Sequence, residues 1–385
     1  MVNRQNLKDK IYPIMNSKVI MITHEYPPYK GGAGIYCEEL AYAANKIGVD
    51  IEVWAPKGAA TNNRFSIIEL PWKGSQGYIA SCCLITYFLK QKLTKREDSI
   101  IHLAELGSMR AFVRFGWLLH FVPPPILTIH GSELLRFTRN PLEKWLFKKL
   151  LQRAIKIHVL SKYNKTALLE FCPKIKKRIH CISGAPARRV IPRTKKTSTI
   201  LDAKKLNILC VGRIHPRKGQ TELLKALCCL TNKVQKELVV TFVGAYTKQK
   251  YFKKLNFLKN SFAGEVLFTG QISDDKLKSY FQSSDIFALT SVPSHNSVEG
   301  FGFVYLEASA NALPVIANRV GGVEDVVLDG TTGLLSEPND PISLAENIIK
   351  LVENPKLREK LGGNGRIWAA KHSWGDVAKK LYELH

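Results

Sequence analysis

The sequence predicts an α/β protein built from two doubly wound, parallel-sheet domains of Rossmann-like type that face each other across a cleft. Three observations carry this expectation. The chain has 385 residues, enough for two domains of about 150 residues each with cores of their own. Short apolar runs rich in β-branched residues alternate with helical patterns, as in parallel sheets assembled from β-α units. The alternation halts at a basic stretch punctuated by glycine and proline, Gly184-Ala-Pro-Ala-Arg-Arg-Val-Ile-Pro-Arg-Thr-Lys-Lys-Thr-Ser198, and then restarts. The predicted division is 1–187, a linker at 188–204, a second domain at 205–365 and a closing helical segment at 366–385.

In the first half, Val19–Thr23 and Ile51–Ala55 read as strands on either side of a helix over Gly34–Ile47. Ile126–Ile129 and Ile155–Leu160 are further strands, and Ser161 is placed to cap the helix that follows. The second half repeats the scheme with Leu206–Val211, Leu238–Val243, Val266–Thr269, Ile286–Leu289 and Val315–Ala317. Helices are expected around Thr221–Leu230, Lys276–Gln282 and Phe303–Asn311, and a last one around Trp374–Leu384.

Composition narrows the class. The most apolar stretch, Ala111–Ile129, holds Arg114, His120 and three consecutive prolines, Pro123 to Pro125, so it is no continuous span of about 20 residues. Met1–Lys10 is polar, with no apolar core or cleavage site of a secretory leader after it. The eight cysteines show no Cys-x-x-Cys spacing, and the neighbouring pairs Cys82-Cys83 and Cys228-Cys229 read as buried thiols in a reducing cytoplasm. The net charge is +25 and uneven: residues 1–190 carry 30 Lys and Arg against 13 Asp and Glu (net +17), residues 191–385 carry 27 against 19 (net +8). The excess directs the first half toward an anionic surface or acceptor. Nucleic acid is not expected as a partner, because no recognised binding motif accompanies the charge.

The chemistry concentrates in a few places. Glu299-Gly-Phe-Gly-Phe-Val-Tyr-Leu-Glu307 brackets a Gly-Phe-Gly turn with two carboxylates, and an apolar helix starts at once. Glycines permit close backbone approach, and the first N–H groups of the helix form an anion site. Gly300, Phe301, Gly302 and Phe303 thus belong with Glu299 and Glu307 in a pocket for a nucleoside diphosphate carrying a sugar. Leu313-Pro-Val-Ile-Ala317, Gly321-Gly-Val-Glu324 and Asp329-Gly-Thr-Thr-Gly333 follow in quick succession. Arg213 and Lys218, five apart after a strand, can neutralise a diphosphate leaving group without a metal ion. Gly31, Gly32 and Gly34 form a glycine-rich loop after the first strand, suited to phosphate or sugar approach. Tyr26 and Tyr29, in the rigid Tyr26-Pro-Pro-Tyr-Lys30 loop, and Glu133 are candidates for the acceptor side. The scattered histidines hold no metal cluster.

In these motifs, taken in order with Thr128-Ile-His-Gly131 and Val211-Gly-Arg-Ile-His-Pro-Arg-Lys-Gly219, the chain resembles retaining glycosyltransferases of the GT-B fold, in the family 4 group, over nearly its whole length. The resemblance implies that Glu307 takes the ribose hydroxyls and Glu299 the donor sugar. It implies that His130 contacts sugar and supports the transition state, and that the last helix returns to the N-terminal domain. The implied donor is a GDP- or UDP-linked sugar, with no further cofactor and no metal. The implied reaction moves a hexose-type unit, with a front-face mechanism, to a lipid-linked or glycan acceptor. The implied setting is cell-envelope polysaccharide, lipopolysaccharide or glycolipid synthesis, with the protein cytoplasmic and peripheral to the inner face of the membrane. One departure stands out: where the family often has an Asn-Gly-Val-Asp-like sequence, this chain has Ile182-Ser-Gly-Ala-Pro186, keeping the glycine and losing the amide and the carboxylate. A nucleotide-sugar epimerase and a non-catalytic GT-B subunit are the alternatives.

Overall fold

The computed structural model describes residues 17–28, 31–60, 62–71, 77–90, 99–119, 122–189, 204–294 and 297–382. Tyr29, most of the expected linker and residues 1–10 lie outside the described residues. The first sheet has seven strands, β1 (Val19–Ile22), β2 (Ile51–Pro56), β3 (Ser66–Leu70), β4 (Ile100–Leu103), β5 (Ile126–Ile129), β6 (Lys156–Val159) and β7 (Ile179–Cys181). Their order is β3-β2-β1-β4-β5-β6-β7. The second sheet has six, β8 (Leu206–Val211), β9 (Leu238–Val243), β10 (Glu265–Gly270), β11 (Ile286–Leu289), β12 (Val315–Asn318) and β13 (Gly333–Ser336), in the order β10-β9-β8-β11-β12-β13. Every strand pairing is parallel. Both are Rossmann-like sheets.

The central strands show why. β1, β2, β5, β9, β11 and β12 are buried along their whole lengths, because helices cover both faces of a parallel sheet. Each fully buried Leu or Ile in them contributes roughly 1.5–3 kcal/mol. The strand order reverses between β1 and β4 in one sheet and between β8 and β11 in the other, and ligands of such sheets bind at these points, beyond the strand C-terminal ends.

Four strands escaped the sequence reading: β3, β4, β7 and β13. β3 and β7 are edge strands with exposed positions, so their patterns are weak. β13 begins inside the glycine-rich Asp329–Gly333 segment, which reads as a turn. The cysteine expectation is also corrected: Cys82 and Cys229 are exposed and Cys83 and Cys228 half-buried, because each pair ends up at a helix surface and not against the sheet.

The helix Trp374–Tyr382 lies against the helix Gly32–Lys46 of the first unit. Its Trp374 Nε1 donates to Pro186 O at 3.0 Å, and Tyr382 Oη is 2.7 Å from His102 Nδ1 in the core of the first sheet. His102 continues through Thr128 and Tyr36 to His158, a buried chain of hydrogen bonds that ends on Ile182 O. Among the described residues no helix is long and apolar enough to cross a membrane.

Candidate active site

The strand ends of the two sheets line a single cleft of about 540 Å³. On the second-sheet side, the chain leaves β8 through Gly212 and Arg213 into the short turn Pro216–Lys218. His215 Nδ1 caps that turn by accepting from Arg217 N. The turn delivers two cations to one atom: Lys218 Nζ lies 2.6 Å and Arg217 Nη1 2.8 Å from Glu299 Oε2, which also accepts from Ser291 Oγ at 2.9 Å. Burial opposes ionisation of Glu299, but Lys218 and Arg217 outweigh it and hold the carboxyl at about 2. Burial, with Arg217 and Arg213 nearby, pushes the Lys218 ammonium down against the pull of Glu299. Arg213 and Lys218, the pair read from spacing, both line the cleft. Arg213 lines the cleft on its own and is exposed, while Arg217, not singled out in the sequence, joins Lys218 on Glu299.

Next comes the helix Phe303–Ala310. Gly302 precedes it at φ +84, a left-handed conformation that glycine takes without strain, and no side chain caps the first N–H groups. Gly300, Phe301, Gly302 and Phe303 all line the cleft. Glu307, one turn into the helix, is only 2% exposed, and its carboxyl is raised by burial and by Asp274, with Arg189 acting the other way. Such an uncapped N-terminus with a buried carboxylate one turn on can take both the phosphates and the hydroxyls of a nucleotide.

The opposite wall comes from the first sheet. His130 follows β5, lines the cleft and holds its ring by a 2.9 Å contact from Nε2 to Ala104 O and an edge-to-face contact with Tyr36 at 4.9 Å between centroids. Glu133 lines the same wall, with Oε2 accepting from Gly131 N at 2.7 Å, so this carboxylate also fixes the His130–Ser132 backbone. Glu25, a residue without an assigned role in the sequence reading, is half-buried in the cleft wall. Desolvation and Glu105 raise its carboxyl, and Arg213, His130 and Arg136 lower it.

Two of the expectations are corrected here. Gly32 and Gly34 are not in a loop but in the first turn of the helix Gly32–Lys46, capped by Gly31; Gly31 and Gly32 line the cleft while Gly34 is buried away from it. Tyr26 is buried in the core of the first unit and not on the cleft surface, because the chain turns inward beside the helix carrying Tyr36 and Cys37. Among the described residues no three His, Cys, Asp or Glu side chains converge as a metal site would require.

The two walls meet directly. Asn164 Nδ2 donates to Gly300 O at 3.2 Å and Lys162 N to Asp325 Oδ2 at 2.6 Å, each joining one unit to the other. A Cβ on Gly300 would overlap the His130 carbonyl, and one on Gly131 would press on the Gly300 Cα at 2.8 Å. Glycine pairing at this seam is what lets His130 approach the Glu299 segment.

Comparison with known proteins agrees with this architecture. Residues 193–368 match the family described as glycosyl transferases group 1, and residues 30–185 match glycosyltransferase family 4. The chain is 32% identical over 264 residues to an uncharacterized glycosyltransferase of Methanocaldococcus jannaschii, covering 68% of each chain. It is 25% identical over 394 residues to the GDP-mannose-dependent α-(1-6)-phosphatidylinositol monomannoside mannosyltransferase of Mycolicibacterium smegmatis, covering 95% of this chain and 97% of that one. Sucrose-phosphate synthase from Thermosynechococcus elongatus superposes with a TM-score of 0.78 at 22% identity, over 95% of this chain and 97% of that one. Two facing Rossmann-like sheets, matches to both halves of one family and similarity along nearly the full length lead to one assignment: the chain belongs to the group 1, family 4 glycosyltransferases and has the GT-B fold.

Proposed function

We propose that the protein transfers a hexose-type sugar from a GDP- or UDP-linked donor to a lipid-linked or glycan acceptor, without a metal ion and with retention of configuration. The observation that carries this reading is the convergence of Lys218 and Arg217 on one oxygen of Glu299, beside the uncapped N-terminus of the Phe303–Ala310 helix. A diphosphate leaving group gains charge as the glycosidic bond breaks. Fixed cations and aligned N–H groups stabilise that charge more in the transition state than in the ground state. Among the described residues Oε1 of Glu299 takes no hydrogen bond, so it is the oxygen available to a sugar hydroxyl. Glu307 is placed to accept from the ribose hydroxyls.

A carboxylate held at about 2 by two cations is a poor nucleophile. That favours a front-face departure, in which the donor's own diphosphate assists the incoming hydroxyl, over a covalent enzyme intermediate. His130 on the facing wall is positioned to contact the sugar between the two units. The relative from Mycolicibacterium smegmatis is named for a phosphatidylinositol-linked acceptor, which supports a lipid-linked acceptor here. The excess positive charge of residues 1–190 supports work at an anionic membrane, peripherally and on its cytoplasmic face, in glycolipid or envelope polysaccharide synthesis.

The test is a thermal-shift panel of GDP-, UDP- and ADP-sugars followed by transfer of labelled sugar to lipid extracts. A donor at a hundred times its dissociation constant stabilises the fold by ~2.7 kcal/mol. A shift with one nucleotide class and label appearing in lipid or glycan support the proposal. No shift with any of them overturns it.

A further inference from the structure

Two adjacent arginines leave the first unit on the chain that crosses to the second, and they point in opposite directions. Arg188 is tied backward: its N donates to Glu39 Oε1 at 2.9 Å, its Nε to Glu39 Oε2 at 2.7 Å, and its guanidinium sits 3.3 Å from the centre of the Tyr42 ring. Arg189 is turned forward into the nucleotide side of the cleft. Its Nη1 donates to Asp274 Oδ1 at 3.0 Å, and its Nη2 lies 3.7 Å from Glu307 Oε1. Its Nε is buried and makes no hydrogen bond. Glu307 is buried on its helix, and Arg189 is the cation that the described residues set against it, with Asp274 the facing anion.

We propose that Arg189 is a positioning residue of the donor site, pairing with the buried Glu307 carboxylate and aiming it at the ribose, so that nucleotide binding is coupled to the crossover between the two units. The proposal rests on the reading of Glu307 as the ribose contact. The geometry suits the task. At 3.7 Å the guanidinium favours the ionised carboxylate yet leaves Oε1 a lone pair for a hydroxyl. Asp274, pulled by the same guanidinium, would otherwise repel Glu307 and favour its protonated form, which accepts hydrogen bonds less well. Because Arg188 holds the same segment to Glu39, the guanidinium of Arg189 is delivered from a fixed base.

The experiment measures GDP and UDP binding by calorimetry from pH 5.5 to 8.5 on the full-length protein, using whichever nucleotide the wild type binds. The variants are R189M, R189K and E307Q, with donor KM and kcat determined alongside. The wild type is expected to lose less affinity toward pH 5.5 than R189M does. R189M is expected to bind tenfold or more weakly at pH 6 and to recover as the pH rises, because Glu307 without its cation ionises later. Its donor KM rises more than its kcat falls, and R189K restores most of the affinity. A loss in R189M that is the same at every pH, or no loss at all, overturns the role given to Arg189. Should R189M fail to fold, R189Q takes its place over the same pH range, since it too removes the cation beside Glu307. E307Q separates the two ideas: unchanged binding there removes the ribose reading itself, whereas weakened binding in E307Q with an unaffected R189M removes only the inference about Arg189.

Discussion

Lys218 Nζ and Glu299 Oε2 lie 2.6 Å apart across 81 residues of sequence, and both side chains are nearly out of solvent. Removing one partner of a buried pair costs about 3–5 kcal/mol because the other charge is left without compensation, and the remaining Arg217 brings the figure toward the lower end. Lys218→Met is therefore expected to lower the melting temperature and to reduce turnover more than donor affinity. Melting curves and a split of kcat from KM check this. The reverse pattern, weak binding with full turnover at saturation, would assign the cations to ground-state holding alone. A chelator added to the wild type is expected to leave its rate unchanged.

His130→Ala is expected to cut transfer by two or more decades with the fold retained. Its ring lines the cleft and makes one hydrogen bond, to Ala104 O, so its loss removes little from the core. Circular dichroism and melting curves beside the rate measurement decide. Equal losses of stability and activity would make it a structural residue.

Gly300→Ala is expected to abolish transfer while nucleotide still binds. The added methyl would collide with the His130 carbonyl and force the two units apart, leaving the Glu307 side of the site in place. The comparison to make is nucleotide affinity against transfer rate, and a fully active variant would show that the seam opens without cost.

Acid should weaken the protein in two stages. His102 and His158 are fully buried, desolvation lowers both, and His158 lies at about 4. The unfolded chain takes up protons near pH 6.5 that the folded form refuses, so stability falls between about 6.5 and 4, by up to about 3 kcal/mol for His158. Glu299 and Glu105, both held at about 2, contribute stability above their unfolded value of about 4.3 that is lost as the pH falls toward 2. Melting temperature against pH tests this. His158→Gln should flatten the upper stage, and a slope that does not change would remove the histidine explanation.

Binding to anionic vesicles is expected, and it should fade at molar salt, where screening shortens to about 3 Å. In the helix Tyr78–Lys90, Ala80, Leu84, Ile85 and Phe88 are in the core, while Tyr78, Ile79 and Leu89 are its exposed large apolar side chains, Ile79 at 81%. Arg114 spans from the Tyr78 ring, at 4.2 Å, to Glu143, so Tyr78 and Ile79 adjoin the helix Pro141–Arg153. That helix exposes Leu142, Trp145, Lys144, Lys148 and Lys149. Co-sedimentation of the full chain, and of a variant with these three lysines changed to glutamate, tests the patch. Equal binding by both would assign the charge to solubility.

What the sequence determined by itself was the alternation of strand and helix and the placement of motifs at strand ends. Runs such as Val19–Ile22 and Ile286–Leu289 are apolar throughout because both faces of their sheets are covered, and that pattern is local. Ser161 caps its helix through Asn164 N for the same local reason. The partners of the charged groups were decided by tertiary structure. Arg217 meets Glu299 across 82 residues, Arg189 meets Asp274 across 85, and Tyr36 meets His158 across 122. Spacing after a strand could suggest Arg213 as readily as Arg217, since both follow β8 on one turn. Tertiary structure brought Arg217 onto Glu299 and left Arg213 on the cleft wall. Glu25 likewise became a cleft residue only when the fold brought it to the cleft wall near Arg213. Backbone preferences act over a few residues, whereas burial and ion pairing depend on which elements pack together, and that is set by two whole sheets closing on each other.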